Sequence, residues 1–188
     1  MKFKFRQNEK KFLRKWVLAN SIGWPVGFIV ALILSYGIVN LFYPKETNFL
    51  LGICIGAVIA FSQWFILKRF FKISVWWIFA AAIGIGLPFI IAVLFFELSG
   101  YDISITKIEI IDQSIAFFIG GLITGLLQFH SLKSFAVKYT WWIIVSALAW
   151  GIGWYGLIFG GVILGLITGI AMLRFHKIPI ESGLDKGM

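Results

Sequence analysis

Four uncharged polar residues stand out inside otherwise apolar segments of the chain. They are Asn20, Gln63, Gln128 and Ser146. Amides and hydroxyls removed from water must find hydrogen-bond partners. Such side chains could line a polar vestibule on the axis of a helical bundle. The alternative is structural, with the glutamine amides bonding backbone carbonyls of neighbouring helices and holding the bundle together.

Three tryptophans form a second candidate site. Of the nine tryptophans, six lie at the ends of apolar segments, where an aromatic belt at the membrane interface is expected. Trp24, Trp150 and Trp154 lie deeper or toward the opposite ends. Flat indole rings that each carry one N–H donor could line a pocket for a flat apolar ligand.

The residues that usually carry catalysis or ion coupling are missing from the middle of the apolar segments. Glu97 and Asp112 fall at segment ends, which disfavours a proton pump or antiporter built on an intramembrane carboxylate. His130 and His176 have no second ligand at helical spacing, so we predict no metal site. The single cysteine, Cys54, fits a small core residue. We therefore predict no cofactor and no enzymatic activity.

The composition favours a membrane protein. Of the 188 residues, 60% are hydrophobic and 13% are charged, and the mean hydropathy is +0.94. A soluble domain of this length could not bury so much apolar surface, whereas about 20 apolar residues suffice to cross a bilayer. We predict an all-α membrane protein with six transmembrane helices, at residues 16–42, 49–68, 75–98, 113–133, 140–157 and 158–174.

The basic residues predict the topology. Of the 17 lysines and arginines, all but Lys45 and Lys107 fall before the first span, at or after the end of the last, or from the end of span two to the start of three and from the end of four to the start of five. This positive-inside pattern puts both termini in the cytoplasm. The net charge of +9 then points to anionic lipid headgroups as partners and not to nucleic acid. We expect a basic surface segment at 1–15, one membrane domain at 16–178 and a flexible tail at 179–188.

Small residues recur four apart along most of the predicted spans. This spacing places them on one face of a helix, where they let two backbones approach closely within lipid. One such face, Ala19–Gly23–Gly27–Ala31, could also accept a partner helix. The predicted helix-packing residues are Ala19, Gly23, Gly27, Gly52, Gly56, Gly84, Gly121, Gly125, Gly161, Gly165 and Gly169.

The same helical hairpin occurs three times along the chain. The tetrapeptide Leu-Ile-Thr-Gly stands at 122–125 and again at 166–169, and Gln63 and Gln128 occupy equivalent places, where the third copy has Met172. We predict repeats at about 16–72, 73–138 and 139–178, arranged around a pseudo-threefold axis along the membrane normal. The third hairpin is compressed: helices of about 16 residues span only about 24 Å, with a turn predicted at 151–156.

These motifs resemble a group of bacterial polytopic membrane proteins without an assigned function, which carry G-x-x-x-G-x-x-Q-W-x-x-L followed by W-W. One copy here runs from Gly56 through Gln63-Trp64 to Leu67, and the other from Gly121 through Gln128-Phe129 to Leu132. Ala60 and Phe129 depart from the pattern. The resemblance implies a fold and no particular activity.

Three functional hypotheses follow from the sequence. The first is a membrane-embedded assembly or binding module without catalysis, which binds lipid or another membrane protein. The second is a subunit for small-solute transport or capture, similar in size and topology to the substrate-binding subunits of vitamin transporters. The third is a pore on the pseudo-threefold axis.

Overall fold

The computed structural model of the chain describes residues 7–35, 37, 48–99, 110–132 and 140–175. These residues form α-helices without strands, as predicted. The predicted tail at 179–188 and the two basic residues assigned to the outer side lie outside the described residues. The helices are α1 (Gln7–Leu34), α2 (Asn48–Leu67), α3 (Trp76–Ser99), α4 (Ile110–Leu132), α5 (Trp141–Tyr155) and α6 (Gly160–Phe175), with a 3₁₀ turn at Leu157–Phe159.

Four segments of this fold are long and apolar enough to cross a membrane: Gln7–Leu34, Leu50–Leu67, Gln113–Leu132 and Leu157–Arg174. Two further apolar helices, Trp76–Ala92 and Trp141–Tyr155, are shorter. The prediction of a helical membrane protein is therefore confirmed at this level. Six complete spans stay a prediction.

The six helices form a closed ring. Each helix packs against the helix that follows it in the chain, and α6 packs against α1. No other pair of the α-helices described comes into comparably close backbone contact. The side chains that point inward consequently come from all six helices and meet in one interior.

Glycines lie where the backbones of neighbouring helices approach most closely. A Cβ atom on Gly27 would lie 2.8 Å from the Ile55 Cα, and one on Gly165 would lie 2.9 Å from the Val17 Cα. Ala19 packs against the buried core. Other predicted packing glycines also have atoms of a neighbouring helix within 3.4 Å of the position a Cβ would take: Gly23, Gly52, Gly56, Gly84, Gly121, Gly125, Gly161 and Gly169.

The small-residue face of α1 is covered by the chain's own second helix. Gly23 lies against Ile59 and Gly27 against Ile55, both on α2, and Ala31 is buried. The sequence suggested this face for a partner helix, but α2 occupies it, because α1 and α2 are consecutive and pack side by side.

The described part of the predicted basic segment, residues 7–15, belongs to α1. The helix begins at Gln7 and continues to Leu34 through Pro25, a length of about 42 Å at 1.5 Å per residue. Phe12 is buried within this segment, stacks on Trp16 and meets Phe70 edge to face. Phe12 therefore packs this otherwise largely exposed stretch against one end of the bundle.

The third hairpin is as short as predicted, with helices of 15 and 16 residues. Its turn falls at 156–159, later than the predicted 151–156, because α5 stays helical to Tyr155. The Gly156 N–H bonds the carbonyls of Ile152 and Gly153 at 3.2 and 3.1 Å. Leu157 follows with a φ of 45°, a left-handed conformation that is strained for a residue with a Cβ.

We expect Gly121→Ala to destabilise the bundle by about 1–3 kcal/mol, because overpacking forces backbone shifts. The added Cβ would lie 2.7 Å from the Ser146 carbonyl oxygen of α5. The measurement is the free energy of unfolding in detergent micelles. Gly37→Ala is the matched control, since Gly37 is exposed and a Cβ there meets nothing within 4 Å. Equal effects of the two substitutions would contradict this account of helix packing.

Candidate functional site

Three buried indole groups join the helices in the same way. Each belongs to the first helix of a predicted hairpin and donates its N–H to a polar side chain on the helix that precedes it around the ring. The bonds run from Trp16 to Thr168 (2.9 Å), from Trp77 to Gln63 (3.2 Å) and from Trp142 to Gln128 (3.0 Å). The ends of α2, α4 and α6 thus meet the starts of α1, α3 and α5 at one end of the bundle.

The amide nitrogens of the two glutamines extend these bonds to further helices. Gln128 Nε2 donates to the Trp77 carbonyl oxygen at 3.2 Å. Gln63 Nε2 donates to Asn20 Oδ1 at 2.8 Å, and Asn20 Nδ2 in turn donates to the Trp16 carbonyl oxygen at 2.7 Å. Hydrogen bonds consequently run from α6 through α1, α2, α3 and α4 to α5.

Asn20 explains why the two glutamines differ in their partners. The residue of α3 that corresponds to Asn20 in the predicted repeat is Ala81, which leaves the Trp77 carbonyl open to Gln128. In α1 the Asn20 amide sits in that place and relays the bond from Gln63 to the Trp16 carbonyl. Gln128 therefore bonds a backbone carbonyl of a neighbouring helix directly, as the structural alternative predicts, whereas Gln63 reaches one through the Asn20 side chain.

The resulting cluster is called the indole–amide network and consists of Trp16, Asn20, Gln63, Trp77, Gln128, Trp142 and Thr168. All seven side chains are buried. A buried hydrogen bond contributes about 1 kcal/mol net, while a buried group left without its partner costs about 1–3 kcal/mol. The geometry therefore gives the predicted vestibule residues Asn20, Gln63 and Gln128 a role in joining helices, and does not expose them to a water-filled space.

Ser146, the fourth predicted polar residue, lies beside this network on α5. It is buried, and its backbone oxygen and Cβ face the glycines of α4, Gly121 and Gly125. Its small side chain fits the close approach of α4 and α5.

The tryptophans predicted to line a ligand pocket pack together instead, in a second cluster farther from the network. Trp24 and Trp150 have ring centroids 6.0 Å apart, and Trp154 stacks on Phe117 at 4.5 Å and on Phe28 at 5.7 Å. All three tryptophans are buried. The structure thus brings the three predicted residues together, with phenylalanine rings filling the space between them.

Two indole N–H groups of this aromatic cluster have no hydrogen-bond partner among the described residues. They are Nε1 of Trp24 and Nε1 of Trp154. Buried donors are satisfied in most proteins, by protein groups or by water. These two donors are thus open to a water molecule or to a ligand that carries an acceptor.

Two clusters of buried side chains pack in the interior of the ring along the described part of the chain. One buried cluster lies around the network and includes Leu67, Leu132 and Met172. The other surrounds the aromatic cluster and includes Ile59, Ile85 and Leu164. Each cluster draws side chains from all six helices.

Sequence reasoning placed Trp16, Trp77 and Trp142 in an interfacial belt, but these three indoles are buried. In each Trp-Trp pair the first residue, Trp76 or Trp141, is exposed and the second is buried. The signal that could have revealed this is the spacing of the two residues, because the buried tryptophan of each pair stands 14 positions after a glutamine. Thr168, in the second Leu-Ile-Thr-Gly copy, was also missed.

Two of the basic residues that follow α2 stack on aromatic rings of their own segment. Lys68 Nζ lies 4.2 Å from the Trp64 ring centroid, and the Arg69 guanidinium lies 4.7 Å from that of Phe65. The Trp64 indole also donates to the Ile73 carbonyl at 3.3 Å, which closes the turn between α2 and α3. Among the described residues no three His, Cys, Asp or Glu side chains come together as a metal site.

Comparison with protein-family models, with curated proteins and with solved structures found no match. The resemblance of the repeated motifs to bacterial polytopic membrane proteins therefore stays a prediction.

The hydrogen bond between Trp16 and Thr168 allows the predicted alignment of the third repeat to be tested. Thr168→Val keeps the side-chain shape but removes the acceptor of the Trp16 indole, and we expect it to cost about 1–3 kcal/mol of unfolding free energy. Met172 occupies the place equivalent to Gln63 and Gln128. We therefore expect Met172→Gln to restore at least half of the lost stability in the Thr168→Val background.

The control is Met172→Gln in the wild-type background, where Thr168 already accepts the indole N–H. There the buried amide has no vacant indole donor to satisfy, so the substitution should be neutral or destabilising. If Met172→Gln lowers the free energy of unfolding equally in both backgrounds, α6 does not share the register of α2 and α4.

Proposed function

We propose that the chain is a multi-pass protein of the bacterial cytoplasmic membrane that acts as an assembly or binding module without catalysis. Its six helices cross the membrane as three repeated hairpins around a pseudo-threefold axis, with both termini in the cytoplasm. The surface that faces out from the ring binds membrane lipid or another membrane protein.

The indole–amide network supports the repeat. Two hairpin junctions share a tryptophan–glutamine bond across 14 residues, and the junction of α6 with α1 has a tryptophan–threonine bond in the same place. The topology is supported by the described cations Lys68, Arg69 and Arg174, which follow or end α2 and α6 at the same end of the bundle. Basic residues gathered at one end are typical of the cytoplasmic side.

The observation that supports the proposal most directly is the chemical difference between the interior of the ring and its outer surface. Inside, the indole–amide network joins neighbouring helices, and apolar and aromatic side chains pack around it in two buried clusters. Outside, large apolar residues such as Ile29, Leu94 and Leu122 are exposed, as suits contact with lipid or with a partner helix. Binding is thus assigned to the outer surface.

A second candidate function is small-solute capture. The two unpartnered indole donors of Trp24 and Trp154 favour it, because a bound acceptor would satisfy both. The close stacking of their rings with Phe28 and Phe117 weighs against it, because a ligand would have to displace those side chains. A pore gains no such support, since apolar side chains from all six helices fill the interior.

The proposal is tested by photo-crosslinking in living cells from outward-facing positions on different helices. A benzophenone amino acid replaces Ile29, Leu94, Leu122 or Leu148, each of which is exposed. We expect one defined membrane-protein adduct from neighbouring positions on one side of the ring, and lipid adducts elsewhere. The positions on the other side are the matched controls.

Equal protein adducts at every position would mean random collision and would contradict an assembly role. Solute capture gives a different result. A small molecule would raise the unfolding temperature of the purified protein, and Trp154→Phe would abolish that effect.

A further inference from the structure

A groove on the outside of the bundle runs between α1 and α6 and has a volume of about 430 Å³. It is called the α1–α6 groove. Its wall on α6 is Leu166, and its wall on α1 consists of Lys10, Leu13, Arg14, Val17, Leu18 and Ser21. Along the α1 axis this wall extends over about 16 Å at 1.5 Å per residue.

The groove has a cationic end and an apolar end. Lys10 and Arg14 are both exposed and lie one helical turn apart, near the start of α1. Leu13, Val17, Leu18 and Leu166 continue the groove toward the middle of the bundle. The Ser21 hydroxyl already donates a hydrogen bond to the Val17 carbonyl oxygen at 2.8 Å, so this hydroxyl does not require an acceptor on a ligand.

Among the described residues that line the groove, Lys10 and Arg14 are accompanied by no acidic side chain. Like charges four residues apart on a helix repel each other, and an anion between them would remove that repulsion. Lys68 and Arg69 differ, because each lies over an aromatic ring of its own segment. Lys10 and Arg14 are therefore the cations that present their charges to this groove.

We propose that the α1–α6 groove is a binding site for one anionic phospholipid. The phosphate lies between Lys10 and Arg14, where a guanidinium and an ammonium both bond phosphate oxygens. The upper part of an acyl chain lies along Leu13, Val17, Leu18 and Leu166. Inorganic phosphate would use only the cationic end, and an acidic peptide would leave the apolar end unfilled.

This inference rests on the proposed membrane insertion with the start of α1 on the cytoplasmic side. Anionic headgroups of that leaflet lie at the level of basic residues that flank a span. It goes beyond general attraction of the basic segment to a charged surface, because it requires two particular cations and an apolar wall on a second helix.

The experiment counts bound lipid on the purified full-length protein by native mass spectrometry, with phosphatidylglycerol titrated against phosphatidylcholine. We expect one tightest site that prefers phosphatidylglycerol. In Lys10→Ala/Arg14→Ala the affinity of this site for phosphatidylglycerol should fall by about 30-fold, because loss of each cation weakens binding of an anionic lipid by a similar factor.

The matched control is Lys11→Ala/Lys15→Ala, which removes the same charge from the same helix at residues that do not line the groove. It should weaken the site by less than about threefold, as expected from general screening. Leu166→Trp fills the apolar end and should weaken phosphatidylglycerol by at least about fivefold, on the scale of a blocked apolar contact. Binding of inorganic phosphate should be unaffected by Leu166→Trp.

Equal losses in the two double variants would overturn the inference, because they would indicate a diffuse charge effect. An acidic peptide that competes fully, with no effect of Leu166→Trp, would assign the groove to a protein partner instead. Unfolding temperatures in phosphatidylcholine verify that each variant is folded. A wild-type protein that fails to insert into membranes would refute the proposed function itself, whereas an inserted protein without a preferred site would refute only the lipid site.

Discussion

The fold depends on satisfying the buried indole and amide groups of the indole–amide network. An indole ring offers one N–H donor and no acceptor, whereas a glutamine amide offers both. When the amide oxygen accepts the indole N–H, the amide N–H donors remain and bond a group on a third helix. Gln128 thereby joins α3 and α5, and Gln63 joins α3 to α1 through Asn20. At one end of the bundle each helix is joined to its neighbours by buried hydrogen bonds, which give a largely apolar bundle a defined register.

Close packing of neighbouring helix backbones stabilises the bundle in addition to the hydrogen bonds of the indole–amide network. Between lipid-facing helices there is no hydrophobic driving force, and association relies on van der Waals contact and hydrogen bonds. Glycines such as Gly27, Gly121 and Gly165 bring neighbouring backbones together, so that the ring closes tightly enough for Trp24, Phe117 and Trp154 to fill its centre. The same closeness hides the small-residue faces, which therefore act within the chain.

Much of this architecture could be predicted from the sequence, because it is periodic. The spacing of four predicts the glycine faces and the hydropathy predicts the helices, while the repeated unit indicated by Gln63 and Gln128 stays a prediction. Periodicity identifies the face of a helix but not the neighbour that packs against it. The small-residue face of α1 therefore suggests a site for a partner helix, although α2 of the same chain packs there. Nor could periodicity show that Thr168 replaces the missing third glutamine, because that depends on the depth at which α6 meets α1. The stacking of Trp24, Trp150 and Trp154 likewise follows from ring closure, which no local pattern encodes.

The most direct test of the central claim uses the tryptophan indole N–H resonances in a ¹⁵N-labelled sample in lipid nanodiscs, assigned by single Trp→Phe substitutions. Trp24 and Trp154 serve as internal references, because they are as buried as the network tryptophans but lack an acceptor among the described residues. The account predicts that the indole protons of Trp16, Trp77 and Trp142 resonate downfield of these two references, as hydrogen-bonded protons do. Overlap of all five resonances would contradict a network that joins the six helices.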